Sequence, residues 1–233
     1  MKTPVVTLTL NKYDGFSDKF WALKMMQLSH KYLKNSNGLS FYKMMGSGAG
    51  NGFNWKADFS TYALLCVWND EVQANEFIEN STIIAQFKDR AKEQFTVFML
   101  PLISHGKWSG QNPFEPSKEV EGSIIAAITR ATISNKRLIQ FWKDVPDTGE
   151  SLKNYKEDIL LAKGIGEWPI KHMATFSIWK NEKAMKDFAY SNHSHQKVIQ
   201  KTRELKWYKE ELFARFRPFK SLGTWDGKKI LPF

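Results

Sequence analysis

Two histidines in the carboxy-terminal third of the chain, His193 and His195, lie on one predicted helix. The apolar stripe of this predicted helix is formed by Val198, Ile199, Thr202 and Leu205. His195 lies three and four positions before the first two stripe residues and therefore faces inward, whereas His193 lies among polar neighbours. An inward imidazole can act as an acid, a base or a ligand near neutral pH. We therefore take His195 as the first candidate for function, the alternative being a hydrogen-bonded core or surface histidine.

A strand must position this helix, and the alternation over residues 172–179 predicts one. His172, Ala174, Phe176 and Ile178 share one side of the predicted strand, and Met173, Thr175 and Ser177 share the other. This pattern is typical of a half-buried strand. His172, its first residue, is the second histidine candidate.

The composition indicates a globular protein with a basic surface. The 233 residues are 42% hydrophobic and 14% aromatic, and the formal net charge is +10. A charge of this sign favours an acidic partner, but no block of five like charges occurs. No nucleic-acid-binding motif is present, so we expect no nucleic-acid partner.

Cys66, the single cysteine, lies in an apolar segment and excludes an intrachain disulfide. We expect it to be inert packing in a reducing compartment. The sequence has no signal-peptide pattern and no apolar run long enough to span a bilayer. We therefore expect a cytoplasmic protein that can associate peripherally with a membrane.

The segment 46–52 is the most glycine-dense part of the chain. Closely spaced glycines can hold an anion on backbone N–H groups. A nucleotide loop, however, opens into a helix, whereas this segment leads to a predicted strand. We expect a mobile loop or the lip of a pocket instead.

The order of predicted elements repeats once. Strands are predicted over residues 5–13, 39–45, 60–68, 95–102, 124–133, 159–162, 172–179 and 211–219, and helices over 16–33, 70–80, 82–91 and 135–144 and from 182 and 194. The segment 112–116, with two prolines, is the best boundary. The chain therefore divides into residues 1–116 and 117–233, the second half carrying the candidate ligand site.

Matched residues indicate an internal duplication. Trp68 corresponds to Trp179, each followed nine residues later by a phenylalanine, and a Gly-x-Trp-x-Gly motif occurs at 106–110 and again at 223–227. Each half then has the order βαββαβ of a ferredoxin-like unit. We predict an α+β fold of tandem ferredoxin-like repeats, fused as a barrel or sandwich with helices outside. In this register His195 corresponds to Ile84, so the site is expected in the second half alone.

Motifs across most of the chain resemble those of the spheroidene monooxygenase family. They are Trp68, Gly-Lys-Trp-Ser-Gly at 106–110 with Pro-Phe at 113–114, Thr-Arg-Ala-Thr-Ile at 129–133, Phe-Trp at 141–142, Gly-Ile-Gly-Glu at 164–167, Thr-Phe-Ser-Ile-Trp at 175–179 and Glu-Glu-Leu-Phe-Ala-Arg-Phe at 210–216. The resemblance implies the dimeric α/β-barrel class, which includes haem enzymes such as aldoxime dehydratases.

The resemblance also implies an activity. Haem b and O2 would oxygenate an acyclic carotenoid or a similar apolar substrate, by successive hydroxylations that collapse to a ketone. His195 is the expected haem ligand, with His172 second and His193 third. Arg130 or Arg215 would hold a haem propionate or polarise oxygen, and ion pairs with Glu210 or Glu211 are the alternative for both arginines.

Partners follow from the same resemblance. The sequence has no flavin or nicotinamide motif, so an external donor of the ferredoxin type is expected to supply electrons. A membrane-borne substrate would give the basic surface a role at anionic lipid, and a homodimer is compatible with the fold class. Two other functions stay open: an apolar-ligand-binding barrel without haem, and a cofactor-free oxygenase with His172 or His195 as the base.

Overall fold

The computed structural model describes residues 3–49, 56–117, 121–144, 152–168, 170–191, 204–205 and 207–233. In these residues the strands are β1 (Val5–Lys12), β2 (Leu39–Gly48), β3 (Ala57–Trp68), β4 (Glu93–Gly106), β5 (Ile125–Ile133), β6 (Ile159–Trp168), β7 (His172–Trp179) and β8 (Tyr208–Gly223). The helices are α1 (Phe16–Leu28), α2 (His30–Leu33), α3 (Glu71–Asn80), α4 (Thr82–Arg90), α5 (Leu138–Asp144) and α6 (Glu182–Ser191).

The eight strands form one closed antiparallel barrel. Their order is β1-β3-β2-β6-β7-β5-β8-β4, and the ring closes between β4 and β1. Residues before the predicted boundary contribute β4-β1-β3-β2, and residues after it contribute β8-β5-β7-β6. The pairs β2–β6 and β4–β8 join the two sets. The fold is therefore α+β, as predicted; the duplication and the division at residue 116 stay predictions.

Alternate residues of every strand fill the barrel interior. This cluster contains, among others, Leu8, Leu65, Val97, Ile128, Phe176 and Phe216, all at most 2% exposed. Such burial supplies the main stabilisation of the fold, at about 25 cal/mol per Å² of apolar surface. The packed interior leaves the rims and the outer faces of the barrel as places for a ligand.

The two Gly-x-Trp-x-Gly motifs cover opposite ends of the barrel. Trp108 follows β4 and Trp225 follows β8, and both indoles join the interior cluster. Each turn is held by a glutamate on the neighbouring strand: Glu210 accepts from the N–H groups of Ser109 and Gly110, and Glu93 accepts from those of Asp226 and Gly227. The repeated motif is therefore a structural device that closes the barrel ends.

Two glycine segments lie in strands, where the sequence predicted breaks. Gly46 and Gly48 belong to β2, and Gly164 and Gly166 belong to β6. A Cβ on Gly166 would lie 2.5 Å from the carbonyl oxygen of His172, so close approach of β7 explains this glycine. The prediction of a loop was therefore wrong for 46–48, which line a cavity described below, and residues 50–55 lie outside the described residues.

The remaining sequence-level expectations concern Cys66 and membrane spans. Cys66 is buried, and burial raises the pKa of its thiol, which disfavours the reactive thiolate. Among the described residues, no helix combines the length and the apolar character needed to cross a membrane.

The substitution Gly106→Ala is expected to destabilise the protein far more than Gly110→Ala. Both glycines have positive φ, 94° and 85°, so each alanine carries the strain of the left-handed region, about 1–2 kcal/mol. A Cβ at position 106 would also collide with the carbonyl oxygen of Glu211, whereas a Cβ at position 110 meets nothing within 4 Å. Urea denaturation of the two variants measures the difference, and equal losses would contradict it.

Candidate functional site

A buried arginine lies inside the barrel at the end covered by Trp108. Arg130, on β5, is 3% exposed and forms an ion pair with Glu210 of β8. A second carboxylate, that of Glu167 on β6, lies 3.9 Å from Nη2. A buried charge is tolerated only with such partners, so the two carboxylates compensate the guanidinium.

The two carboxylates have further donors that fix their positions. Glu167 accepts from Lys43 Nζ and from Trp108 Nε1, both at 2.6 Å. At Glu210, burial would raise the pKa, but the N–H groups of Gly110 and Ser109 and the charge of Arg130 lower it overall. The lowered pKa keeps Glu210 ionised at neutral pH. Together, Arg130, Glu210, Glu167 and Lys43 tie four strands to the Trp108 turn.

His172 lies at the edge of this cluster with a defined hydrogen-bonding role. Its Nδ1 is 3.4 Å from both Arg130 Nη2 and Thr132 Oγ1. Because a guanidinium can only donate, Nδ1 accepts and the proton of the neutral ring lies on Nε2. Burial lowers the pKa of His172, and the nearby Arg130 lowers it further against the opposing effect of Glu167. His172 is therefore a neutral donor through Nε2 at neutral pH.

A cavity of about 260 Å³ lies where α1 meets the joined strands β2 and β6. Gly46, Gly48, Gly164 and Gly166 leave space in it, and its other lining residues include Leu23, Phe59, Trp168, Ile170, His172 and Met173. The lining is mainly apolar, which is typical of a small-molecule site. The prediction that the glycine segment forms the lip of a pocket is confirmed for Gly46 and Gly48.

One polar group of the cavity has a strongly shifted pKa. Burial would raise the pKa of Asp58, but hydrogen bonds from Ser60 and the ion pair with Lys163, at 3.1 Å, lower it to about 2. Asp58 is therefore a fixed anion at the cavity wall and not a proton donor.

The outer face of the second half has small residues at its centre. Paired strands β5, β6 and β7 place these residues side by side: Ala127, Thr129, Ala131, Ala162, Gly164, Thr175 and Ser177. Thr129 is exposed, and Gly164 also lines the cavity. Aromatic clusters around Trp179 and around Phe141 and Trp207 lie on either side of this area. We call these seven residues the small-residue face.

The corresponding face of the first half has bulky residues. Tyr42 of β2 pairs with Cys66 of β3, which lies two positions before Trp68. Met44 pairs with Leu64, which lies four positions before Trp68. In the second half, Ala162 and Gly164 pair with Ser177 and Thr175, two and four positions before Trp179. In the first half, Met44, Leu64 and Cys66 are buried in a cluster with α3 and α4, which includes Ile84. The two halves therefore differ in volume at equivalent positions of their outer faces.

The structure brings two of the predicted site residues together and separates a third. His172 and Arg130 are neighbours, while Arg215 lies on the outer face of β8, with Nη1 2.5 Å from Glu182 Oε1 of α6. The alternative of an ion pair with Glu210 is confirmed for Arg130; the pairing of Arg215 with Glu210 or Glu211 was wrong, because β8 places Glu210 on the opposite face and α6 supplies a nearer carboxylate. His193 and His195 lie outside the described residues.

Sequence reasoning missed three members of the cluster: Lys43, Trp108 and Glu167. Alternation within β2 and β6 could have indicated the lysine and the glutamate, since each shares the inward side with apolar residues two positions away. Among the described residues, no group of three or more His, Cys, Asp or Glu side chains could hold a metal ion.

Comparisons with known proteins identify both the fold and the family. Two aldoxime dehydratase structures superpose with TM-scores of 0.65 and 0.63 at 11% and 12% identity; the first match covers 94% of this chain and 84% of the other, and the second covers 93% and 80%. No protein-family model matches the chain. Spheroidene monooxygenase of Rhodobacter capsulatus is 35% identical over 231 residues, 98% of this chain and 95% of that protein. The enzyme of Cereibacter sphaeroides is 36% identical over 96% of this chain and 69% of that protein.

The fold is thus a closed α+β barrel shared with aldoxime dehydratase, and it carries an apolar cavity beside a neutral histidine. Within this class, the chain belongs to the spheroidene monooxygenase family. The relationship supports monooxygenase activity.

The substitution Glu210→Gln is expected to lower the free energy of unfolding by about 3 kcal/mol or more, because it leaves the buried Arg130 charge undercompensated. The double variant Arg130→Met/Glu210→Gln should recover part of this loss, since it removes the charge as well. Asp18→Asn, which breaks the more exposed pair with Arg90, is the control and should cost less than about 1 kcal/mol. Urea denaturation gives all three values, and a double variant less stable than Glu210→Gln would contradict the assignment.

Proposed function

We propose that the protein is a haem-dependent monooxygenase that introduces a carbonyl group into an acyclic carotenoid. The name of its relatives, spheroidene monooxygenase, supports the choice of substrate class. The observation that carries the haem proposal is the small-residue face. At positions where the first half has Tyr42, Met44 and Leu64, the second half has Ala162, Gly164 and Thr175. Trimming several adjacent large residues leaves room for a flat apolar group.

The described residues fit such a group in two further ways. The aromatic clusters at either end of the face can exclude water from a bound macrocycle. Arg215 lies on the same side of the sheet, and its buried Nε has no hydrogen-bond partner among the described residues. That free donor suits a carboxylate such as a haem propionate. Haem, when bound, would supply the activation of dioxygen.

The histidines divide between two roles in this proposal. His195 stays the expected iron ligand, in keeping with its predicted inward position in the second half, and His193 is its neighbour on the polar side. His172 is less suited to ligation, because its Nδ1 accepts from Arg130 and its Nε2 carries the proton. It is better suited to donate a hydrogen bond in the cavity, with Arg130 as the residue that positions it.

The electron supply and the evolutionary origin complete the proposal. Without a flavin or nicotinamide motif, the protein would depend on an external donor of the ferredoxin type. The strand order β4-β1-β3-β2 in one half and β8-β5-β7-β6 in the other supports tandem ferredoxin-like repeats. The second copy would then have acquired the cofactor while the first kept a filled outer face.

Purified protein supplemented with haem b is expected to develop a Soret band that His195→Ala abolishes. With a reduced ferredoxin, O2 and spheroidene, the loaded protein should form a keto product detectable by mass spectrometry. His172→Ala should keep the band and lower turnover. Protein that stays colourless with added haem would contradict the haem proposal, and loss of the band in His172→Ala but not in His195→Ala would move the ligand.

Filling the small-residue face is expected to block haem binding in a folded protein. Thr175→Leu and Gly164→Met introduce the residues that the first half has at the equivalent positions, so they should raise the haem dissociation constant at least about tenfold by occupying its space. Thr175→Ser, which adds no volume, is the matched control. Haem titration together with circular dichroism measures both properties; full affinity in the two larger variants would place the cofactor elsewhere.

A second candidate is a cofactor-free oxygenase, favoured by an apolar cavity in which His172 could donate a hydrogen bond from Nε2 to the oxygen of a phenolic substrate. In this case colourless protein would turn over an acidic phenolic substrate, and His172→Ala would abolish turnover. The oxygenation of a carotenoid is measured with haem-loaded protein, and the turnover of the phenolic substrate is measured with haem-free protein. The first measurement therefore tests the haem monooxygenase, and the second tests the cofactor-free oxygenase.

A further inference from the structure

Helix α1 presents an apolar stripe to solvent. Ala22 and Met25 are its buried residues. On the other side, Phe16, Phe20 and Leu23 follow one another at helical spacing and are 86%, 49% and 45% exposed. The rings of Phe16 and Phe20 lie parallel, with centroids 6.2 Å apart. A helix of an ordinary water-facing surface has polar residues at such positions.

The stripe continues into the mouth of the cavity. Leu23 lines the cavity, together with three other exposed apolar residues, one from β3, one from the end of β6 and one from the β6–β7 connection. These are Phe59, Trp168 and Ile170, which are 59%, 67% and 41% exposed. A contiguous apolar area beside a cavity marks an interaction surface. We call Phe16, Phe20, Leu23, Phe59, Trp168 and Ile170 the apolar rim.

Lysines flank the apolar rim. Residues 16–34 contain four lysines and one carboxylate, Asp18, and Arg90 pairs with that carboxylate at 3.1 Å. Lys19 and Lys24 lie on either side of the exposed stripe, and Lys24 Nζ is 4.4 Å from the Phe20 ring centroid. Aromatic and leucine side chains bordered by lysines are the composition of helices that lie in a lipid interface.

We propose that the apolar rim docks the protein on an anionic lipid bilayer and opens the cavity toward the membrane. Phe16, Phe20 and Trp168 would enter the boundary between headgroups and acyl chains, and the lysines would contact anionic headgroups. An apolar substrate could then pass from the bilayer into the cavity without crossing water. The role as an entry route rests on the proposed function, whereas docking itself does not.

The positive charge around the apolar rim favours an anionic bilayer over a second copy of the chain as the partner of this surface. A two-fold contact through this surface would bring Lys19 and Lys24 near the same lysines of the other copy. The overall charge of +10 adds to this repulsion. An anionic surface instead compensates these charges, and insertion removes the exposed rings from water.

Co-sedimentation with vesicles tests the docking. Wild-type protein should bind vesicles of phosphatidylcholine with phosphatidylglycerol and bind phosphatidylcholine alone at least about tenfold more weakly. Phe16→Ser/Phe20→Ser should weaken binding at least about tenfold by removing inserted apolar surface, and Lys19→Glu/Lys24→Glu should abolish the preference for anionic lipid. The matched controls are Val72→Ser and Ile139→Ser, which change residues 73% and 74% exposed outside the rim and should leave binding unchanged.

Three results would overturn the docking: no binding to anionic vesicles, equal binding to neutral ones, or equal losses in the rim and control variants. A dimer in light scattering that Phe16→Ser/Phe20→Ser dissociates would assign the surface to a second copy instead. Because the two phenylalanines belong neither to the Arg130 cluster nor to the small-residue face, the same variant should keep activity on detergent-dispersed substrate. Loss of docking and failure of the oxygenase activity are thereby distinguished.

Discussion

Closure of the sheet is the constraint on which the rest of the molecule depends. Each set of four strands has two edge strands. The β4–β8 pair joins one edge of each set along most of its length, and the β2–β6 pair joins the other edges at Gly46–Gly166 and Ser47–Ile165. Closing eight strands leaves an interior just wide enough to be filled by side chains, and the apolar cluster fills it. The filled interior leaves the outer faces and the rims as places for a ligand, and the small-residue face and the cavity occur there.

The barrel ends show how charge and packing are combined. At one end, Trp108 covers the core, and its indole N–H binds Glu167, which also holds Lys43 and approaches Arg130. Three basic or neutral donors therefore share one carboxylate, and Arg130 in turn fixes the tautomer of His172. The protonation of a cavity residue thus depends on an ion-pair cluster whose main role is to close the barrel.

Strand alternation predicted most of the fold, because each strand has one face in the barrel. The strand His172–Trp179 and the helix pair after Trp68 agree closely with the structure. The strand predicted over residues 159–162 ended short of Gly164 and Gly166, because a glycine in a strand has the same local signal as a turn. Only the neighbouring β7 explains Gly166. The partners of Arg130 and Arg215 depend on which strands are adjacent, which periodicity within one segment cannot give.

The asymmetry between the halves has an energetic consequence. In the first half, Met44 and Leu64 are buried against α3 and α4, and this burial stabilises the fold. The second half has Gly164 and Thr175 at these positions and therefore lacks this hydrophobic stabilisation. In the proposed function, a cofactor that binds only the folded second half would restore part of this stabilisation, since ligand binding stabilises by mass action. On that proposal, the stability of the small-residue face is coupled to its occupant.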